Sequence, residues 1–379
     1  MNPAIANRLS SASKILYMSH MAIGDYLYQR TYLQMLSKQY PNAEIDLWID
    51  DFRTKGKDWQ KGRSDFLSNW MKDETFINRL YPQATSIVHR KEMLEEAKTR
   101  GYDAVLFIAN LRSDRFANAA KEIAGKSGYC AGVVNQKSLD WLQPWKFAGL
   151  DACYRNNKRD GQKPILAKYG DNFAQLAGLH SAPAIASLTV EAYAKNQASD
   201  VLQRWHNKFG TQRMMLVNTI STTAKRDYPW DKMEAAIQRL HGQYPDYLFV
   251  LNAPPHLIED FTSKAEAIVS HHQIPAVAFT AMAGVQSLAA MIHQANCVLT
   301  VETAIMHFAE ALSVPQCVLM RNASAHWCPK SARYRLFSDT IVADLSVDKV
   351  ADEALSLLSD IREIKKTACY VVEDAETGL

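Results

Sequence analysis

Residues 284–320 read GVQSLAAMIHQANCVLTVETAIMHFAEALSVPQCVLM, and the order of elements in them decides the fold. Residues 288–293 carry helical periodicity and 297–300 form a short buried strand. Thr303 opens a second helix that stops before Pro315, after which 316–320 reads as strand. A helix N-terminus therefore follows directly on the carboxyl end of a strand, where unpaired backbone N–H groups and the positive end of the helix dipole favour an anion. In open parallel α/β sheets that edge is also where ligands bind. Glu302, Thr303, Ala304 and His307 thus form a candidate phosphate cradle, the other reading being an ordinary turn capped by Thr303.

Working outward, strand and helix alternate twice over. Strands are expected at 14–18, 44–49 and 103–109, with helices at 25–39, ended by Pro41, and at 92–100. After the polar stretch 155–163 the rhythm restarts with a helix at 191–208, a strand at 213–218, a helix at 230–243 and a strand at 247–252. Such alternation makes parallel sheets with helical crossovers. The segment 155–183 is polar, contains glycine, has weak periodicity and ends in Pro183. It divides the chain into a first domain over 1–182 and a second over 183–346. A helix at 347–365 and a tail to 379 are expected to pack back on the first domain.

Composition bounds the function. The 379 residues, 47% hydrophobic, are enough for two cores. The 43 basic and 40 acidic residues leave a formal charge of +3, too balanced for a protein devoted to nonspecific nucleic-acid binding. No apolar run approaches the roughly 18 residues of a membrane span, and residues 15–23 are interrupted by Ser19 and His20. A cytoplasmic protein is expected. The six cysteines are scattered without a Cys-x-x-Cys pair and read as reduced thiols. Gly-x-Gly-x-x-Gly, His-Glu-x-x-His, Gly-x-Ser-x-Gly and Asp-x-Asp are all missing from the sequence, which favours a site with neither cofactor nor metal. Gly125-Lys126-Ser127 ends like a P-loop, but Ala120 replaces its first glycine and 116–124 reads as helix.

His20-Met21-Ala22-Ile23-Gly24-Asp25 follows the first strand and opens the first helix. Together with Tyr102-Asp103, Asn110-Leu111-Arg112-Ser113, the 284–320 stretch, and Trp327 with Pro329, it resembles glycosyltransferase family 9, the heptosyltransferases of lipopolysaccharide assembly. The resemblance spans roughly residues 14–365. It implies the α/β fold called GT-B, two Rossmann-like domains whose parallel sheets face an interdomain cleft. Ala22 to Asp25 reproduces the family's Ala/Ser-Ile-Gly-Asp loop. The family's Asp-Thr-Gly, followed by His, stands here as Glu302-Thr303-Ala304 before His307. Ala304 tolerates this exchange only where φ is negative. Asn252-Ala253-Pro254-Pro255 departs from a glycine-bearing family segment, which leaves the nucleotide base open.

Moving a sugar from a nucleoside diphosphate to a hydroxyl needs a base for the acceptor proton and positive charge for the departing diphosphate. Asp25 is the candidate base, a role that the resemblance also assigns it, or else the N-cap of the first helix. Lys225, after the hydroxyl-rich turn 219–224, is the candidate phosphate ligand, or a solvated loop lysine; Thr222 and Thr223 would add donors. His307 would touch a phosphate or brace its loop, Glu302 would accept from ribose hydroxyls or hold the turn, and Glu259 is a ribose contact by rough position. On the acceptor side stand Gly24 and the basic loop 53–63, which bears Lys55, Lys57, Trp59 and Arg63, with Arg112 on the same surface. These residues suit an anionic saccharide or glycolipid.

The resulting expectation is an inverting, metal-independent transferase, with a nucleotide-sugar co-substrate such as ADP-heptose and no cofactor. Its acceptor would be met at the cytoplasmic face of the inner membrane, with no nucleic-acid partner. Protein-directed transfer and a noncatalytic nucleotide-sugar or glycan-binding protein are the alternatives. Oligomeric state is not legible.

Overall fold

A computed structural model describes residues 3–53, 58–135, 144–156, 163–180, 183–282 and 284–376. The chain forms two compact units that divide after Ser187. In the first, β1 (Lys14–Ser19), β2 (Glu44–Trp48), β3 (Arg79–Tyr81), β4 (Ala104–Ala109), β5 (Tyr129–Asn135) and β6 (Ala152–Asn156) make a parallel sheet in the order β3-β2-β1-β4-β5-β6. In the second, β7 (Arg213–Asn218), β8 (Tyr247–Asn252), β9 (Ala276–Phe279), β10 (Cys297–Val301), β11 (Gln316–Arg321) and β12 (Tyr334–Ser338) run in the order β12-β11-β10-β7-β8-β9. That is the same winding, and all its pairings are again parallel. Both orders are those of a doubly wound Rossmann-like sheet.

Central strands covered on both faces need apolar side chains at every position, not alternate ones. Accordingly β4, AVLFIA, and β10, CVLTV, are buried throughout, whereas the edge strands β3 and β12 are partly exposed. Leu16, Met18, Trp48, Phe107 and Phe116 centre one core, and Met215, Val217, Phe249, Leu299 and Leu319 the other. Each such side chain contributes about 1.5–3 kcal/mol on burial. Phe107 pairs in register with Gly132 on β5, where a Cβ would lie 2.1 Å from the Phe107 ring, so only glycine fits beneath it.

Two expectations are corrected. The weakly periodic stretch contains a helix, Ile165–Ala177, whose Ile165, Tyr169, Asn172, Phe173 and Leu176 are buried. Asn172 and Tyr169 in that face dilute its apolar signal. The terminal helix, Val347–Glu376, places Val350, Ala354, Leu357, Leu358 and Ile361 in the second unit's core. Of the basic loop, Asp58–Lys72 is helix, so Arg63 lies on a helix; its side chain, and Lys55 and Lys57 entirely, lie outside the described residues. Among the described residues no helix is long and apolar enough to cross a membrane.

Candidate functional site

Doubly wound sheets open a crevice at the carboxyl edge where strand order reverses. Here the reversals fall between β1 and β4 and between β7 and β10. Asp25 and Arg112 follow β1 and β4; Lys225 and Glu302-Thr303-Ala304 follow β7 and β10. These candidates thus follow the strands that flank the switch point of their own unit.

In the first unit, Ala22 is the extended N-cap (φ −90°, ψ 173°) of the helix Ile23–Gln39, with Gly24 buried in its first turn. Asp25 is therefore the third helical residue and not the cap. Its Oδ2 accepts from the Ala22 N–H at 3.1 Å, satisfying one of the donors that a helix start leaves unpaired. Its Oδ1 accepts from the hydroxyl of Tyr169 at 2.8 Å. The carboxylate is partly buried and held on both oxygens, yet each oxygen retains a lone pair for a further donor.

Two buried carboxylates, Asp50 and Asp51, follow β2. Asp50 accepts from both the Nε and Nη2 of Arg90 and from the Ala84 N–H at 3.1 Å. Asp51 takes Arg53, the Nη2 of Arg112 at 2.9 Å, and His20 at 3.3 Å. Burial alone would raise the Asp51 carboxyl, but its hydrogen bond to Arg53 and the charges of His20, Arg53 and Arg112 outweigh it and hold the group below the usual carboxylate range. Phe52 and Arg112 stand in the left-handed region at φ 58° and 53°, a strain that persists because this network over-determines the loops. Arg112 is thus engaged with Asp51, and only its remaining N–H groups are left for an acceptor anion.

In the second unit Thr303 caps the helix Ala304–Ala311, its hydroxyl accepting from the Ile305 N–H at 3.2 Å. Ala304 has negative φ at the first helical position, so exchanging glycine for alanine strains nothing. Asn218, ending β7, donates to Thr300 and Thr303 at 3.3 Å and accepts from Asn252 at 2.9 Å, fastening the turns after β7, β8 and β10 together. Arg226 reaches Glu302 at 3.5 Å, and its guanidinium also donates to the hydroxyls of Thr222 and Thr223. These threonines therefore brace Arg226. Lys225, one residue before it on the short 3-10 turn Ala224–Arg226, is exposed and makes no ion pair among the described residues.

Glu302 is 6% exposed and lies 3.8 Å from Arg321 as well. Burial raises its carboxyl, and the arginines offset that only in part. Burial pushes His307 down to about 3, which favours the neutral imidazole, and its ring centroid lies 5.9 Å from that of Trp327. Glu259 is exposed in the first turn of Ile258–His272, beyond β8, and no contact joins it to this cluster among the described residues. Sequence reasoning missed Tyr169, Gln29, Asp51, Asn218, Arg226 and Arg321. One signal was available for Gln29: its helix, Ile23–Gln39, alternates polar and apolar residues without a clean stripe. Such a helix, once buried all round, must hydrogen-bond its polar residues internally.

Comparison with known proteins agrees with this architecture. A solved glycosyltransferase family 9 protein from Veillonella parvula DSM 2008 superposes with a TM-score of 0.68 at 17% identity, over 92% of this chain and 97% of that one. The E. coli ADP-heptose lps heptosyltransferase II gives 0.64 at 16% identity, over 92% and 99%. E. coli heptosyltransferase WaaC, solved with ADP-2-deoxy-2-fluoro heptose, gives 0.58 at 17% identity, over 90% and 99%. No curated protein sequence matches the chain. The model of glycosyltransferase family 9 (heptosyltransferase) matches residues 143–349, more than half of the 379. With both sheets wound as in these transferases, the chain belongs to glycosyltransferase family 9.

Proposed function

We propose that this glycosyltransferase moves a heptose from ADP-heptose, with inversion and without a metal, to an anionic saccharide or glycolipid such as a lipopolysaccharide core. Asp25 takes the proton of the acceptor hydroxyl. The acceptor oxygen then forms its bond to the anomeric carbon as the bond to the diphosphate oxygen breaks. Lys225 and the N-terminal N–H groups of Ala304–Ala311 receive the charge that develops on the diphosphate. The observation that carries the reading is the Asp25 carboxylate, in the loop that matches the family motif, fixed on both oxygens at the β1 switch point. ADP-heptose as donor is supported by the heptosyltransferase of like fold solved with its fluoro analogue. An anionic acceptor is supported by Arg53, Arg112 and Arg115 after β2 and β4: Arg53 and Arg112 share the single carboxylate of Asp51, and Arg115 donates to the Phe52 carbonyl. A peripheral position at the inner face of the inner membrane would follow from a glycolipid acceptor.

The test is a thermal-shift comparison of ADP, UDP, GDP and CMP, followed by transfer from the matching sugar. At a concentration of 100 times Kd a ligand stabilises the native state by about 2.7 kcal/mol. ADP is expected to raise Tm most; a larger shift with UDP and none with ADP would overturn the donor assignment.

A further inference from the structure

We infer that Tyr17, Gln29 and Tyr169 form a one-way chain of hydrogen-bond donors that positions the Asp25 carboxylate for proton abstraction. The inference rests on the reading of Asp25 as the base. Tyr17 comes from β1, Gln29 from the helix Ile23–Gln39 and Tyr169 from the helix Ile165–Ala177, and they are 0%, 0% and 3% exposed. The Tyr17 hydroxyl donates to the Gln29 Oε1 at 2.6 Å, the Gln29 Nε2 donates to the Tyr169 oxygen at 3.1 Å, and the Tyr169 hydroxyl donates to the Asp25 Oδ1 at 2.8 Å.

Only this direction satisfies every member. An ionised carboxylate accepts and does not donate, so the single phenolic proton of Tyr169 belongs to Asp25. The Tyr169 oxygen can then face only a donor, which turns the Gln29 amide nitrogen toward it and leaves the Gln29 carbonyl to accept from Tyr17. Burial pushes both phenols well above their ordinary range, with the Asp25 carboxylate adding to the effect, so both remain donors. Phe173 stacks on Tyr17 at 5.3 Å and on Tyr32 at 5.2 Å, fixing the ring at the far end of the chain.

Stability does not account for the arrangement. If Tyr17, Gln29 and Tyr169 were all replaced by apolar side chains of similar volume, only the Oδ1 of the partly exposed Asp25 would lose a donor, whereas a buried polar network is costly wherever one member is unsatisfied. What the chain accomplishes is the restriction of one carboxylate. Oδ1 is held by Tyr169 and Oδ2 by the Ala22 N–H, which restricts the directions left to the free lone pairs. Tyr17, Gln29 and Tyr169 are positioning residues, acting through Asp25 and not on substrate.

The experiment compares full-length wild type with Tyr169→Phe, Tyr17→Phe and Asp25→Asn, using ADP-heptose and a heptose-deficient lipopolysaccharide core as substrates. Turnover is expressed per folded molecule. Tyr169→Phe is expected to lower kcat about tenfold or more while both KM values stay within about twofold, because the loss falls on orientation at the reacting atom. Tyr17→Phe should act the same way but more weakly, and it decides the matter if Tyr169→Phe does not fold. Wild-type kcat in these phenylalanine variants, with Asp25→Asn inactive, would overturn the positioning role alone. Near-normal turnover by Asp25→Asn would overturn the base reading and this inference with it.

Discussion

At the β1–β4 switch point the candidate base is hydrogen-bonded on both carboxylate oxygens and backed by a buried chain of donors. At the β7–β10 switch point the candidate phosphate ligand, Lys225, is exposed and makes no ion pair among the described residues. One strand order therefore carries two opposite designs. Proton abstraction requires heavy atoms within hydrogen-bond reach and correctly aimed, so a base gains from being fixed before substrate arrives. A cation opposite a departing diphosphate acts through a Coulomb interaction that falls off slowly with distance. It can be ordered by the ligand itself, provided that its turn is anchored, as Arg226 and Asn218 anchor this one.

The comparison breaks first at Lys225. Lys225→Ala is expected to raise the KM for the nucleotide-sugar donor about 10- to 100-fold, the loss of one charge-assisted hydrogen bond of about 1.5–3 kcal/mol. It should leave the unfolding free energy within about 0.5 kcal/mol of wild type, as befits an exposed side chain. Steady-state kinetics beside urea denaturation checks both. An unchanged donor KM would remove Lys225 from the phosphate site, and a large loss of stability would show that its turn is not held by Arg226.

The carboxylates of the two switch points sharpen the contrast through opposite pH slopes. The folded value of Asp51 is depressed, so its contribution is fully present above the ordinary value of 3.8 and is lost as pH falls from there through the folded value. Asp51→Asn should cost about 2 kcal/mol at neutral pH, less than for a fully buried pair because its arginines reach water. That deficit should shrink on acidification below the ordinary value of 3.8. The folded value of Glu302 is raised, so its ionised form is a liability that is absent below 4.5 and grows as pH rises through the folded value. Glu302→Gln is therefore expected to be neutral or stabilising by less than about 1 kcal/mol at pH 7, with no gain at pH 4. Denaturant melts at pH 7, at pH 4 and below the ordinary Asp51 value of 3.8 test the pair; parallel slopes for the two variants would contradict the comparison.

Much of this was legible before any coordinates. Strand β7, strand β8 and the helix Trp230–Gln243 fall at the residues expected, because buried parallel strands and amphipathic helices write strong local patterns. The turns at Ala22–Asp25 and Glu302–Ala304 were visible because a strand end beside a helix start leaves its mark in a few consecutive residues. The rest depends on distant partners. Tyr169 meets Asp25 across 144 positions, and Arg226 meets Glu302 across 76, so neither contact leaves a periodic trace. The basic loop misled because charge alone does not separate a loop from a helix such as Asp58–Lys72. The partner of Arg112, Asp51, lies 61 residues away and is buried, so the sequence shows the arginine without its counter-charge.

The most direct test of the division of labour is Asp25→Asn, assayed for single-turnover sugar transfer and for ADP binding on the same preparation. The account predicts transfer slowed by about 10²–10⁴-fold, the usual worth of a general base, with ADP affinity unchanged. Near-wild-type transfer, or loss of ADP binding along with it, would contradict the assignment of proton abstraction to the first unit and phosphate binding to the second.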